Sequence, residues 1–403
     1  MPDHSPAVPF RRRHLRSIGV GAVIMLAAGG PVIGEPYRPS DDSKILAVVP
    51  RSAISKRSEF RSMSRKLAEN PADLPTAIAV ARLAIDDGRA SSDLRSYGQA
   101  QAALATWWAD AEAPAEARVL KAVILQNLED YAGAEAALEG VLAKNPQNSE
   151  ARLNLAFIRQ ATGKLADARK DCEALPKSPD ELAEALCFAR IEVLTGAAQQ
   201  ALDRLDKALG AEGEAKPALR ALATGLAADS ALTLGETEAA RRRFAALNPD
   251  TADIPLLVAY ADFLLDAGEP GEVLKLLADR SEADSVLLRL AIAGKAAGDP
   301  RVERWTALLT ERFEADRAND VQTHKRERAR FELEVKGNAV AALGLARANW
   351  KSRKELADAR LLLEAALAAD DPDSAADVLT FIKTNGVSDA RLTPLLAKIA
   401  EQK

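Results

Sequence analysis

The sequence predicts an all-α protein, a right-handed superhelical solenoid of stacked antiparallel helix pairs. Three observations predict it. A pattern of small and turn-forming residues recurs at a fixed step. Ala122 returns as Ala156 and Ala134 as Ala168, each 34 positions on, and Asp130-Tyr131-x-x-Ala134 returns as Lys164-Leu165-x-x-Ala168 just after Gly163. A repeat of that length is one helix–turn–helix unit that buries its apolar face only by stacking on neighbours. The composition agrees: 48% of the residues are hydrophobic but only 4% aromatic, and 28% are charged. Ala, Leu, Glu and Arg, with few β-branched runs, favour helix over strand. Finally, no alternating apolar/polar run is long enough for a sheet strand.

The small residues have a packing reason. The first Ala of each unit sits on helix A where helix B crosses it, and the second sits on helix B facing back. A larger side chain at either place forces the axes apart. The polar turns Leu128-Glu129-Asp130 and Thr162-Gly163-Lys164 reverse the chain, and Pro146 follows helix B where a proline ends a helix without breaking it.

In chain order, residues 1–34 differ from the rest. Arg11, Arg12, Arg13 and Arg16 precede an uncharged apolar stretch from residue 18 to 34, with small residues at its end and Val32-x-Gly34 fitting a cleavage site. This is the pattern of a secretory signal peptide. The alternative is an uncleaved inner-membrane anchor over residues 18–34, with the basic end cytoplasmic and the repeats outside. Arg12-Arg13 reads as an ordinary basic n-region rather than a twin-arginine signal. Cleavage removes four of the 54 basic and one of the 59 acidic residues, leaving 50 and 58, a net charge of −8. That balance argues against nucleic acid, which needs a basic stripe, and against adhesion to anionic lipid.

Residues 35–70 form a non-repeat leader and first helix. The run Lys44-Ile45-Leu46-Ala47-Val48-Val49-Pro50 reads as an extended segment packing on the first repeat, the alternatives being a strand, a turn of helix or a peptide lying in the groove of its own solenoid, and residues 55–69 read as a helix ended by Asn70-Pro71. About eight helix hairpins fill residues 71–388, best defined at 115–205. The first has Ala81, with Gly88 in its turn and a late helix B that carries Tyr97 and Trp107-Trp108. Adjacent tryptophans take different helix faces, so one is expected in the core and the other outside it. Later units are marked by Ala189/Gly196/Ala201, Ala228/Gly235/Ala240, Ala261/Gly268/Val273, Ala291/Gly298, Gly337/Ala342 and Asp370-Asp371/Ala376. Ser388-Asp389 is expected to cap a final helix within residues 389–403 that closes the end of the core.

These residues resemble the secreted tetratricopeptide-repeat proteins common in proteobacteria. The match is carried by Ala-Arg-Leu-Asn-Leu-Ala156-Phe and Gly163-Lys-Leu-Ala-Asp-Ala168, closely over about 115–205 and loosely over about 70–400. The resemblance implies a non-enzymatic protein-interaction scaffold; fold alone does not fix function.

Few residues suggest chemistry. Cys172, late on one helix B, and Cys187, on the next helix A, are expected to form a disulfide in an oxidising compartment. The alternative is two buried thiols. Their spacing fits no zinc pattern. Of three histidines, His4 and His14 lie in the export segment, and His324 reads as a solvated helix residue, so a Ser–His–Asp or Cys–His device is not expected. Asp41-Asp42, Asp86-Asp87 and Asp370-Asp371 read as caps and turns, and none has a calcium-loop spacing. Arg241-Arg242-Arg243 and Lys325-Arg326-Glu-Arg328 read as solvated faces. No cofactor, metal or catalytic group is expected.

What remains is the concave groove lined by the A helices. Counting from each small Ala selects Gln126, Asn127, Phe157, Gln160, Arg190, Asp229, Asp262 and Asp266 as the residues that clamp a peptide or helix of a protein partner. The reading is therefore an exported periplasmic scaffold that assembles an envelope complex. Its alternatives are an inner-membrane-anchored assembly factor and a glycan-binding solenoid, the last disfavoured by the scarcity of aromatics.

Overall fold

Short polar side chains set several helix starts. Oxygens of Asp73, Asp130, Asn148 and Asn338 accept the backbone N–H three residues on, for example Gly133 and Ala151 N at 2.9 Å. This satisfies donors that a helix start leaves free. The computed structural model describes residues 51–176, 181–211, 217–318 and 323–402. Residues 1–34, read from sequence as an export signal or anchor, the 44–50 run and Asp41-Asp42 lie outside the described residues. Residues 51–403 are one compact unit, and among its described residues every regular element is helical.

Helix α1 (Arg51–Glu69) packs on a first hairpin of α2 (Leu74–Ser91) and α3 (Leu94–Ala103), followed by the short α4 (Ala105–Trp108). Five hairpins follow: α5 (Ala115–Asn127) with α6 (Tyr131–Lys144), α7 (Ser149–Ala161) with α8 (Leu165–Glu173), α9 (Glu181–Leu194) with α10 (Ala198–Gly210), α11 (Pro217–Thr233) with α12 (Thr237–Ala245), and α13 (Ile254–Asp266) with α14 (Pro270–Leu276). Then come α15 (Asp284–Ala297) with α16 (Val302–Ala318), and α17 (Lys325–Arg330), which runs through a π-helical turn (Phe331–Lys336) to α18 (Ala339–Ser352). The chain ends with α19 (Leu356–Ala368), a 3₁₀ turn (Pro372–Ala375) leading into α20 (Ala376–Asn385), and α21 (Thr393–Glu401).

The helix crossings are where the repeat predicts them. Ala81, Ala122, Ala156, Ala189, Ala228, Ala261 and Ala291 on the A helices are fully buried, as are Ala134, Ala168, Ala201 and Ala240 on the B helices. A Leu at such a position overpacks the crossing by about 1–3 kcal/mol. The turns between helices use Gly163, Gly196, Gly235 and Gly268 at φ of 72–80°, a left-handed conformation that costs other residues about 1–2 kcal/mol. In the 115–148 unit Glu129 takes that conformation instead.

Several local expectations are corrected. Gly88 is not in a turn: α2 continues to Ser91 and Ser92 turns left-handed, because Gly88 lets the Tyr97 ring lie within about 3 Å of where a Cβ would stand. Trp107 and Trp108 are both half-buried, packed against the first core cluster, and Lys121 lies over the Trp108 ring at 5.2 Å. In the last hairpin Ala375 and Val378 are buried while Ala376 is exposed, since the 3₁₀ turn shifts the register by one. Asp389 does not cap α21. Its carboxylate accepts Arg391 N at 2.7 Å and its carbonyl accepts Leu392 N, so it folds the chain before the helix begins.

The largest departure concerns the concave side, which the chain itself closes. The α18–α19 connection and residues 386–392 return across the C-terminal ends of α7, α9 and α11. Lys354 N donates to Ala161 O at 2.7 Å, and Ala390 N to Thr233 O at 2.9 Å. The turn glycines admit this approach. A Cβ on Gly163 would meet the Lys354 side chain at 2.9 Å, one on Gly196 the Gly386 carbonyl oxygen at 2.2 Å, and one on Gly235 the Ala390 Cβ at 3.4 Å. No helix among the described residues is long and apolar enough to cross a membrane.

Candidate functional site

The closure leaves a central cavity of about 950 Å³. One wall is the inner face of α5, α7, α9, α11, α13 and α15. The other is α17, its π-helical turn, the first half of α19 and residues 389–392. Of the eight groove residues chosen from sequence, Gln126, Asn127, Phe157, Arg190, Asp229, Asp262 and Asp266 all line it. Phe157, Arg190, Asp229 and Asp262 each follow a small Ala by one position, so the repeat itself brings them to one wall. Gln160 is placed differently. It is fully buried, donating from Nε2 to the Cys187 carbonyl at 2.9 Å and accepting Arg190 Nε at 3.0 Å. Its role is to orient Arg190, whose guanidinium also lies 5.5 Å from the Phe157 ring centre.

Each acidic residue of the α11–α13 wall holds an arginine. Asp229 accepts Arg391 Nη1 at 2.8 Å. Asp262 takes Arg289 in a two-point pair at 2.9 and 2.8 Å and Arg330 at 2.7 Å. Asp266 accepts Arg360 Nη2 at 2.8 Å. Across the cavity, Glu355 binds Arg326 at 2.7 Å and Arg353 at 2.8 Å and faces Arg190 at 3.5 Å. Beneath it the fully buried Asp358 carboxylate accepts Asn349 Nδ2 at 2.7 Å and Arg326 Nε at 2.5 Å.

The electrostatics follow from this pairing. Burial pushes the Asp262 carboxyl up, but Arg289 and Arg330 more than reverse it and hold the group well below the usual carboxylate range. Glu355 behaves alike: burial raises it, and Arg353, Arg326 and Arg190 bring it far lower. Burial lowers Arg326 and Arg330, and their carboxylate partners raise both well above the ordinary value. Tyr131, beside this network, is pushed up to about 12, first by burial. The wall thus presents fixed charges in fixed geometry, suited to recognising charged groups.

Two expectations about charge are corrected here. Arg326 is not on a solvated face but inside the Glu355–Asp358 network, because α17 turns its start inward. His324 is not a solvated helix residue. It sits left-handed (φ 64°) before α17, donates its N–H to Glu129 Oε1 at 3.3 Å, and keeps Nδ1 out of solvent 3.8 Å from Asp316. Asp284, Asp316 and His324 have ligand atoms within 4.8 Å of one another, the one such group among the described residues, and Arg312 holds Asp284 at 2.5 Å. Arg241 and Arg243 pair with Glu269 and Asp206.

Cys172 and Cys187 form a disulfide, with S–S 1.99 Å and Cα–Cα 5.8 Å, that ties α8 to α9 behind the Gln160–Arg190 wall.

A family model described as tetratricopeptide repeat matches residues 125–186, from the end of α5 into α9. Residues 125–186 carry tetratricopeptide repeats. The matched segment holds Phe157, Gln160 and Cys172, and ends one residue before Cys187. Similar solved structures include a tetratricopeptide repeat protein from Parabacteroides merdae, at 14% identity and TM-score 0.39, covering 64% of this chain and 93% of that one. Two others are of human IFIT1. The dimer with m7Gppp-AAAA is 15% identical with TM-score 0.42, covering 86% of each chain. The dimer with PPP-AAAA is 17% identical with TM-score 0.35, covering 87% of this chain and 79% of that one. The search of curated proteins gives no match.

The residues opposite the repeat wall were missed from sequence: Arg326, Arg330, Arg353, Glu355, Arg360 and Arg391. One signal existed. Three aspartates at concave positions of α11 and α13 call for cationic partners, and Arg330, close to the basic run at 325–328, supplies one to Asp262.

Proposed function

We propose that this tetratricopeptide-repeat protein is an exported, non-enzymatic scaffold that seats a protein or peptide partner against the walls of its central cavity, in the assembly of an envelope complex. The observation that carries the reading is the convergence of Phe157, Arg190, Asp229 and Asp262, one repeat position in four consecutive A helices, on a single cavity. Export is supported by the basic-then-apolar start of the sequence and by the disulfide, which belongs to oxidising compartments. The test is affinity capture with crosslinking from envelope extract, using the full chain as bait and reading its N-terminus by mass spectrometry. One dominant protein partner with a mature start at Glu35 is the expected result. An intact segment 18–34 with inner-membrane partners replaces the periplasmic reading with the anchored one. The absence of any protein partner overturns both.

A further inference from the structure

Asp229, Asp262 and Asp266 share a peculiarity. Among the described residues their ion-pair partners are arginines: Arg391, Arg289, Arg330 and Arg360. Two-point pairing at Asp262 and Asp266 uses the fork of the guanidinium, which an ammonium does not match. Arg289 and Arg330 belong to helices through which the solenoid continues, and Arg360 to α19. Arg391 is different. It lies on residues 386–392, which cross the ends of the A helices as an irregular strand of chain. Three contacts fix it there: Ala390 N on the Thr233 carbonyl, Arg391 on Asp229, and Asp389 beside the Thr233 hydroxyl at 3.4 Å. They use a backbone N–H, a guanidinium and a carboxylate, all groups that a peptide with the same short pattern supplies, and the Asp389 carboxylate also holds Arg391 from within the segment, 2.7 Å from Nη2.

We propose that residues 386–392 occupy the partner's own seat, and that the scaffold recognises a protein segment of the form acidic residue, any residue, arginine, apolar residue, which displaces them from Asp229 and the Thr233 carbonyl and hydroxyl. The inference rests on the reading of the cavity as a partner site and names the partner's chemistry. Asp229 supplies charge, the Thr233 carbonyl fixes backbone direction, and the Thr233 hydroxyl meets the acidic residue two before the arginine. Leu392, buried beside them, marks the apolar position that follows.

The test uses the full-length protein and a fluorescein-labelled peptide with the sequence of residues 386–402, followed by fluorescence anisotropy. In Arg391→Ala the protein's own segment loses its charge-assisted hold, so the peptide is expected to bind about tenfold more tightly than to wild type. Asp229→Asn in the Arg391→Ala background should remove that gain, and a peptide with alanine in place of its arginine should not bind. Equal binding to wild type and Arg391→Ala, no effect of Asp229→Asn, or no binding to any of them overturns the proposal. Should Arg391→Ala fail to fold, excess peptide on wild type must speed hydrogen exchange at Ala390 N–H, and unchanged exchange overturns it equally. A captured partner that binds wild type, Arg391→Ala and Asp229→Asn alike sinks the arginine recognition while leaving the scaffold reading standing.

Discussion

Replacing Gly196 by alanine separates the two duties that its position combines. The first is conformational: at φ 75° an alanine pays a left-handed penalty of about 1–2 kcal/mol. The second belongs to the closure, because the new Cβ would lie 2.2 Å from the Gly386 carbonyl oxygen. That is backbone against backbone, with no flexible side chain to swing away, so the 386–392 segment must move or the turn must open. Overpacking of this kind adds about 1–3 kcal/mol. Gly268 is the control. It has the same role in a later turn, at φ 72°, and no atom lies within 4 Å of its Cβ position. Gly268→Ala is expected to cost about 1–2 kcal/mol and Gly196→Ala about 2–5 kcal/mol. Urea unfolding measures both, and limited proteolysis after residue 385 reports the closure separately. Gly196→Ala should release a C-terminal fragment that Gly268→Ala leaves protected. Equal destabilisation, with equal resistance to cleavage, would refute the claim that the turn glycines serve the closure.

Three further outcomes are expected. Reducing the Cys172–Cys187 bridge, or replacing both cysteines by serine, should lower stability by about 3 kcal/mol, the loop-entropy value for a closure of this length, read as a shift in the urea midpoint. Asp262→Ala leaves Arg289, which is 3% exposed, with Glu327 at 3.8 Å as its remaining charge partner. The loss should be about 2–3 kcal/mol, below the full buried-pair value because Asp262 is one-third open to the cavity, and Asp262→Asn should lose less. In pH titrations, Asp262 and Glu355 have depressed folded values. Their contribution is present above the unfolded carboxylate range near pH 4 and is lost as pH falls below it. Tyr97, pushed up to about 12 by burial, gives the opposite limb. Its contribution is complete below about pH 10 and declines by about 2–3 kcal/mol as pH rises to about 12; Tyr131, pushed up alike, adds a similar decline, so Tyr97→Phe should make the limb shallower and Tyr97→Phe with Tyr131→Phe should flatten it in a calorimetric scan.

The helix pairs were legible because their cause is local. A fully buried Ala at most of the crossings and a residue in left-handed conformation at the turns leave marks at nearly constant spacing, and both sets are seen. The helix-A face was legible for the same reason: one position after the Ala selects Phe157, Arg190, Asp229 and Asp262. What faces them was not, since the pairs Asp229–Arg391, Arg190–Glu355 and Asp266–Arg360 join residues 94–165 positions apart, a separation with no period. Gln160 was misplaced because a helix position that points inward in one repeat points at the disulfide in this one. Gly88 misled because glycine marks a turn and a close ring contact alike. Arg326 and His324 were read as solvated because composition records charge but not the buried carboxylates that receive it.

The closure of the concave face is tested most directly by residue-resolved hydrogen exchange on the wild-type chain at Lys354 and Ala390. Both amides lie outside helix ladders, and each donates across the closure, to Ala161 O and Thr233 O. Slow exchange at both, comparable with the interiors of α7 and α11, is the expected result. Exchange at unprotected rates, with those helices still protected, would mean that the cavity has no second wall.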